Sequence, residues 1–235
     1  MIGQPRSAKG EQTKSAIFEA ALELFQKDGY EAATMRAIAA RAGVSLGSSY
    51  HYFPSKEHLV LEFYQHTHRL HEAACAPILS EEKDLALRLR AVVRAVVLTC
   101  EPFHAVAGSI FSTVANPASP LNPFGSTASL IREEVIELYA KVLKGSNTSV
   151  PADLATELPR LLWLYQMGIL YFWILDPSPN RLRTLELIDE TSDLIVRLLN
   201  LAGLPGLRKS RRRISALIQG MLELPPPTSP MAKLP

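Results

Sequence analysis

Between residues 34 and 56 the chain reads TMRAIAARAGVSLGSSYHYFPSK. Its chemistry-bearing groups are hydroxyls, two guanidiniums, an ammonium and an imidazole. Ser45, Leu46, Gly47 and Ser48 open a short helical stretch that Pro54 must end, because the ring disfavours helical geometry at Phe53. Two hydroxyls, a methyl-bearing surface and a glycine that permits close backbone approach form a set suited to base edges in a major groove. Around them stand Thr34, Tyr50, His51 and Lys56, which can reach phosphate oxygens. Arg36, one turn into its own helix, is the guanidinium best placed for a guanine edge. No Arg or Lys lies on the short helix itself, so affinity must come from these neighbours.

The spacing that positions these groups is that of two helices crossing at a tight turn. Thr34 is a good N-cap, Ile38, Ala39 and Ala42 form a buried side, and Gly43 breaks the helix. Val44 then plugs the corner and Ser45 caps the next helix, which runs to about His51. A helix over Thr13–Asp28, with its apolar stripe at Ile17, Ala20, Ala21, Leu24 and Phe25 and its cap at Gly29, supports the pair from behind. Tyr52 and Phe53 read as core, and Arg41 as a solvated or ion-paired side chain. Ser55 is read as the cap of a fourth helix to about Ala74, with Leu59, Phe63, His66 and Leu70 inward.

The pattern Thr34-Met35-Arg36, Ile38-Ala39, Ala42-Gly43-Val44-Ser45, Gly47, Tyr50-His51-Tyr52-Phe53 and Ser55-Lys56-Glu57 resembles the DNA-binding signature of the TetR family of bacterial repressors. The Gly29-Tyr30-Glu31-Ala32 exit of the first helix is similar too, and the likeness covers about the first 65 residues. It implies a homodimer on a roughly palindromic operator, released by a small ligand in a second domain. By the same resemblance Arg36, Leu46, Gly47 and Ser48 lie nearest the bases, while Thr34, Ser45, Tyr50, His51 and Lys56 touch the backbone. Ser49 departs from the pattern, which usually carries an apolar residue before the Tyr. Either a less firmly held recognition helix or a rearranged turn is expected there.

With 235 residues, 47% hydrophobic and 20% charged, the chain can bury a sizeable core, and its formal net charge of +2 is too small to imply nucleic acid unaided. An all-α protein is expected, in three parts. Residues 1–56 form a basic arm (1–10) and the DNA-binding domain. Residues 57–222 form a helical effector-binding and dimerisation domain, and 223–235 a disordered proline-rich tail. Helices are predicted over 84–99, 103–115, 124–143, 151–175, 180–201 and 207–222, separated by Pro- and Gly-rich breaks. The segments 151–175 and 180–201 are apolar over so much of their surface that they suit a dimer interface.

Aromatic residues of the second part, Phe63, Phe103, Phe111, Tyr139, Trp163 and Tyr171, are candidates for an effector site. Few charges fall on the predicted inner faces, which favours a neutral or lipophilic effector. His104 reads as a hydrogen-bonded core residue. His68 and His71, three apart beside Glu72, make too small a set for a metal site, and none is assigned. Cys75 and Cys100 are either reduced core residues or a redox-responsive pair. The 116–125 loop reads as a connection or a lid, and the basic run 208–213 as a solvated helix end or a nucleic-acid contact. No cofactor motif, HExxH, GxSxG, phosphate-binding glycine loop or paired carboxylate occurs, which argues against an enzyme. A protein adaptor built on the same scaffold is the other alternative. With no apolar leader and no segment of about 20 apolar residues, a soluble cytoplasmic location is expected.

Overall fold

The computed structural model describes residues 8–202 and the single positions 209, 213 and 216, and among these it contains helices and no strand. The expected helix over 207–222, the basic run 208–213 and the tail 223–235 lie outside the described residues, save those three positions, as do residues 1–7 of the expected arm. Helix α1 starts at Ala8, within that arm, and runs to Asp28. Gly29 follows with φ +83°, the left-handed geometry that stops a helix without a Cβ penalty. Helices α2 (Met35–Arg41) and α3 (Leu46–Tyr52) are short, and α4 (Lys56–Glu81) is long. One core joins them: Ile17, Ala21 and Phe25 of α1, Ile38 of α2, Phe53, and Leu59, Val60 and Phe63 of α4.

That core continues into the second half through Val106, Ile110 and Val114 of α6 (His104–Ala115) and Leu121 beyond it. The rest of the body is α5 (Leu85–Cys100), α7 (Ser129–Lys144), the single turn α8 (Ala152–Ala155), α9 (Leu158–Leu175) and α10 (Leu182–Ala202). Their shared core holds Val92 and Val96 of α5, Leu138 and Tyr139 of α7, Trp163 and Trp173 of α9, and Ile188 of α10. Two stretches, Leu85–Phe111 and Leu158–Leu175, are long and apolar enough to cross a membrane by composition; α5 and α9 within them pack against other helices of the body.

Four further sequence expectations change. Helix α4 passes through Pro77 to Glu81, because a proline removes one hydrogen bond but does not end a helix whose next turn is anchored, here by Leu79 against the core. Leu70, expected inside, is exposed. The 124–143 helix starts only at Ser129. Before it Ser119, Asn122, Gly125 and Ser129 each donate to a carbonyl three residues back, and Asn122 Oδ1 accepts from Phe124 N at 2.8 Å. The 151–175 helix is broken at 156–157, with Pro159 in the first turn of α9, where its missing N–H is not needed.

One side chain ties three of these helices together. Arg88 of α5 is fully buried and has no carboxylate in contact. Its Nε donates to the Val142 carbonyl (2.8 Å) and its Nη2 to that of Lys141 (2.9 Å); Nη1 reaches those of Leu79 (2.9 Å) and Glu82. All four acceptors lie at the C-terminal ends of α4 and α7, where carbonyls lack helical partners and the helix dipole favours a cation. A Cβ on Gly145 would strike this guanidinium. Replacing Arg88 by Met leaves buried carbonyls without their donor and should cost about 3 kcal/mol. Gly145→Ala should also destabilise, and urea titration of both variants measures this.

Candidate nucleic-acid interface and internal cavity

The helix-turn-helix is built by two side-chain caps and one glycine. Thr34 Oγ1 accepts from Ala37 N (3.2 Å) and Ser45 Oγ from Ser48 N (3.1 Å), each such cap being worth about 1 kcal/mol. Between them Gly43 takes φ +68°, and Val44 N donates to the Ala39 carbonyl at 3.0 Å, closing the turn. The turn is therefore regular, not rearranged. Ser49 is fully enclosed and its hydroxyl donates to the Leu46 carbonyl at 2.8 Å, so the polar atom is satisfied within its own helix.

On the outer surface Thr34, Arg36, Ser45, Gly47, Tyr50 and His51 are exposed, and Leu46 and Ser48 half-buried. Arg36 makes no hydrogen bond or ion pair among the described residues, which leaves its donors free. Arg41 pairs with Glu23 at 2.6 Å, and Phe53 is core, as expected; Tyr52 is half-buried. Lys56 is the one candidate placed differently. Its Nζ donates to the carbonyls of Tyr30 (2.7 Å) and Glu31 (3.3 Å) and lies 4.4 Å from the Tyr30 ring centre, so it holds the exit of α1 against the start of α4.

A cavity of about 450 Å³ lies among α4, α5, α6, α7, α9 and the 122–124 segment. Of the six effector candidates, Phe63, Phe111, Trp163 and Tyr171 line it. Phe103 does not: it packs edge-on against Phe63 (5.5 Å) and His66 (5.9 Å), on the side of α1. Nor does Tyr139, which is fully buried one layer back and donates to Gln166 Oε1 at 2.8 Å. Sequence periodicity marks both as inward but cannot separate core from cavity wall. The polar lining that the sequence reading missed comprises Thr67, His68, His71, Asn122, Arg132 and Gln166. His71 Nε2 donates to the Val92 carbonyl at 2.9 Å, while His68 keeps Nε2 3.9 Å from Glu134 and has no partner at Nδ1 among the described residues. Burial lowers the pKa of both, and pulls His71 to about 4. His104, expected in the core, is only half-buried; its Nε2 donates to the Trp173 carbonyl at 3.2 Å. Both cysteines are free thiols; Cys75 is buried and Cys100 borders the cavity.

Residues 17–63 match the bacterial regulatory proteins of the tetR family, and residues 88–210 match the tetracyclin repressor-like C-terminal domain. The chain belongs to the TetR family. Among curated relatives, the transcriptional repressor KstR of Rhodococcus jostii RHA1 is 50% identical over 50 residues, 21% of this chain and 24% of that protein. The regulator UidR of Escherichia coli K12 is 38% identical over 52 residues, 22% of this chain and 26% of that protein. These matches thus span about a quarter of the relatives' length. Over the whole fold, a TetR-family regulator of Syntrophomonas wolfei superposes with a TM-score of 0.64 at 19% identity, covering 79% of this chain and 95% of that one. One from Nitrosomonas europaea does so at 0.61 and 16%, covering 77% and 96%. The TetR family is one of transcriptional regulators and not of enzymes.

In this TetR chain the cavity histidines couple stability to pH. His71 is buried neutral, so its folded pKa of about 4 lies below the unfolded value of about 6.5. The unfolded state then binds more protons between those values, and stability falls as pH drops through that window. The loss should reach roughly 3 kcal/mol by pH 4. Urea midpoints measured between pH 7.5 and 4.5 should show a shallower slope for His71→Asn than for the parent.

Proposed function

We propose that the protein is a transcriptional repressor that binds a palindromic operator as a homodimer and leaves it when a small lipophilic molecule enters the cavity. The observation that carries this reading is the double duty of α4. Its first turns share a core with α1, α2 and Phe53, and Phe63, Tyr64, Thr67, His68 and His71 further along it form one wall of the cavity. A ligand that moves that wall moves the support of the helix-turn-helix. Helix α6 gives a second route: Ile110 and Val114 serve both cavity and N-terminal core, and Thr113 Oγ1 donates to Glu31 Oε1 at 2.8 Å.

Dimerisation through α9 and α10 is supported by what a single chain leaves uncovered. Tyr171, Phe172 and Leu175 of α9 and Leu194, Leu198 and Leu201 of α10 are all exposed. Such a patch suits a self-complementary two-fold interface, and a two-fold dimer sets the two reading helices on matching half-sites. The repressor sense follows the named activity of the KstR relative, and a site on DNA implies the cytoplasm.

Gel shifts with the region upstream of the protein's own gene test the DNA assignment. Arg36→Ala should cost about 1–3 kcal/mol of operator affinity, and Tyr50→Phe about 1 kcal/mol if its exposed hydroxyl meets a phosphate. Parental affinity in both variants would show the contact surface to be elsewhere. For the dimer, Leu198→Glu should yield a monomer by light scattering and weaken binding to the full palindrome; a persistent dimer would move the interface off α10.

A further inference from the structure

The cavity wall is almost entirely apolar, from Phe63, Ile110 and Phe111 to Met167 and Leu170, and no Asp or Glu contributes to it. Its ionisable groups are the two buried histidines, both disfavoured as cations by burial, Tyr64, Tyr171, Cys100 and Arg132. A guanidinium stays charged under all working conditions, so Arg132 puts one full positive charge on an otherwise apolar wall.

That charge is incompletely matched. Arg132 is held at the 122–125 loop by Nη1, which donates to the carbonyls of Pro123 (2.8 Å) and Gly125 (3.0 Å), and its Cζ lies 5.9 Å from the Trp163 ring centre. The nearest carboxylate oxygen, Glu133 Oε1, is 3.9 Å from Nε, beyond hydrogen-bond reach, on a side chain 57% exposed against 18% for Arg132. No hydrogen bond from Nε or Nη2 is found among the described residues. The guanidinium is thus anchored by one nitrogen, while its other edge keeps the donor fork that matches a carboxylate.

We infer that the cavity takes an apolar monocarboxylate, its head on the Nε/Nη2 edge of Arg132 and its hydrocarbon body among Phe63, Ile110, Phe111, Met167 and Leu170. This rests on reading the cavity as the effector site and narrows the lipophilic ligand to an acid. An acid supplies an anion within hydrogen-bond reach, which Glu133 at 3.9 Å is not, whereas an alcohol supplies none and an amine is repelled by the charge. Arg132 keeps some exposure, so the head group sheds only part of its water, and the large cost of burying a lone carboxylate is avoided. Because Nη1 alone holds the loop, a carboxylate on the opposite edge leaves the Pro123 and Gly125 bonds intact. The loop then keeps its place beside the ligand, with the Phe124 ring packed edge-on against Trp163 at 5.1 Å.

The test uses the full chain and three probes with one hydrocarbon tail: decanoate, 1-decanol and decylamine. Calorimetry should find decanoate bound at least about ten-fold more tightly than decanol and decylamine weakest, the gap expected of a bidentate charged pair. Arg132→Gln can still donate to a loop carbonyl. It should lower decanoate affinity about ten-fold or more and leave that of decanol nearly unchanged, while Arg132→Lys should keep part of the preference. Equal binding of acid and alcohol by the parent, no binding of any probe, or an unchanged preference in Arg132→Gln would overturn the inference. The effector reading fails separately: it falls if decanoate binds but operator DNA stays bound, or if Leu170→Trp, which fills the cavity, leaves decanoate affinity intact.

Discussion

A single guanidinium sets the frame in which this protein can work. Arg88 reaches from α5 to the carbonyls that end α4 and α7, and among the described residues no carboxylate forms an ion pair with it. A buried cation without a carboxylate partner is tolerable only when many dipoles converge on it, so each of the four carbonyls is needed. The network therefore admits few alternative packings, and it fixes the far ends of two helices that wall the cavity. The α5–α10 side is stiffened more weakly by the half-exposed Arg90–Asp193 (2.7 Å) and Arg94–Asp189 (2.7 Å) pairs. Helix α4 is thus clamped at its C-terminal end. At its N-terminal end it meets the helix-turn-helix through Lys56 and the Tyr30 and Glu31 carbonyls, which are contacts of a partly exposed side chain.

The helix-turn-helix was readable from residues because its constraints are local. A cap must be Ser or Thr, a left-handed turn residue must be Gly, and the crossing demands a small side chain; Thr34, Ala39, Gly43 and Ser45 meet these demands within twelve positions of one another. Lys56 and Ser49 mark the limit of that reading. A lysine near a reading head suits a phosphate by type alone, yet its ammonium lies on carbonyls that sequence places far from it. A serine where an apolar residue is usual suggests a loose helix, but a hydroxyl that bonds one turn back is satisfied without a partner on the facing helix.

The cavity resisted sequence reading for a different reason. Periodicity assigns a residue to an inner face, and both the packed core and the cavity wall are inner faces. Phe63 and Phe103 touch each other, and only one of them borders the cavity. Tyr139 and Gln166 form one hydrogen bond, and again only one of the two is lining. Arg132 was invisible because its helix was expected to start at Phe124. With the true start at Ser129, the residues before it become a loop whose carbonyls draw the guanidinium toward the wall. A five-residue error in one helix boundary thus hid the one permanent charge in the lining.

The proposed switch must satisfy an energetic condition that the geometry makes concrete. Shifting a regulator from almost fully DNA-competent to almost fully incompetent takes a differential affinity of about 10⁴, or roughly 5.5 kcal/mol, between the two states. Filling an apolar cavity contributes to that figure only if the cavity differs between states, and a ligand that fits both equally moves nothing. The clamp at Arg88 confines such a difference to the N-terminal part of α4, where Phe63 and Tyr64 face the cavity, and to α6, where Ile110 and Val114 do. Both segments lie against α1 through one shared core, so a change in their packing cannot be absorbed there without moving it. Arg132 stands on α7, at the 122–125 loop. A head group held there positions the ligand, and the work on the reading heads is done by its apolar body against α4 and α6.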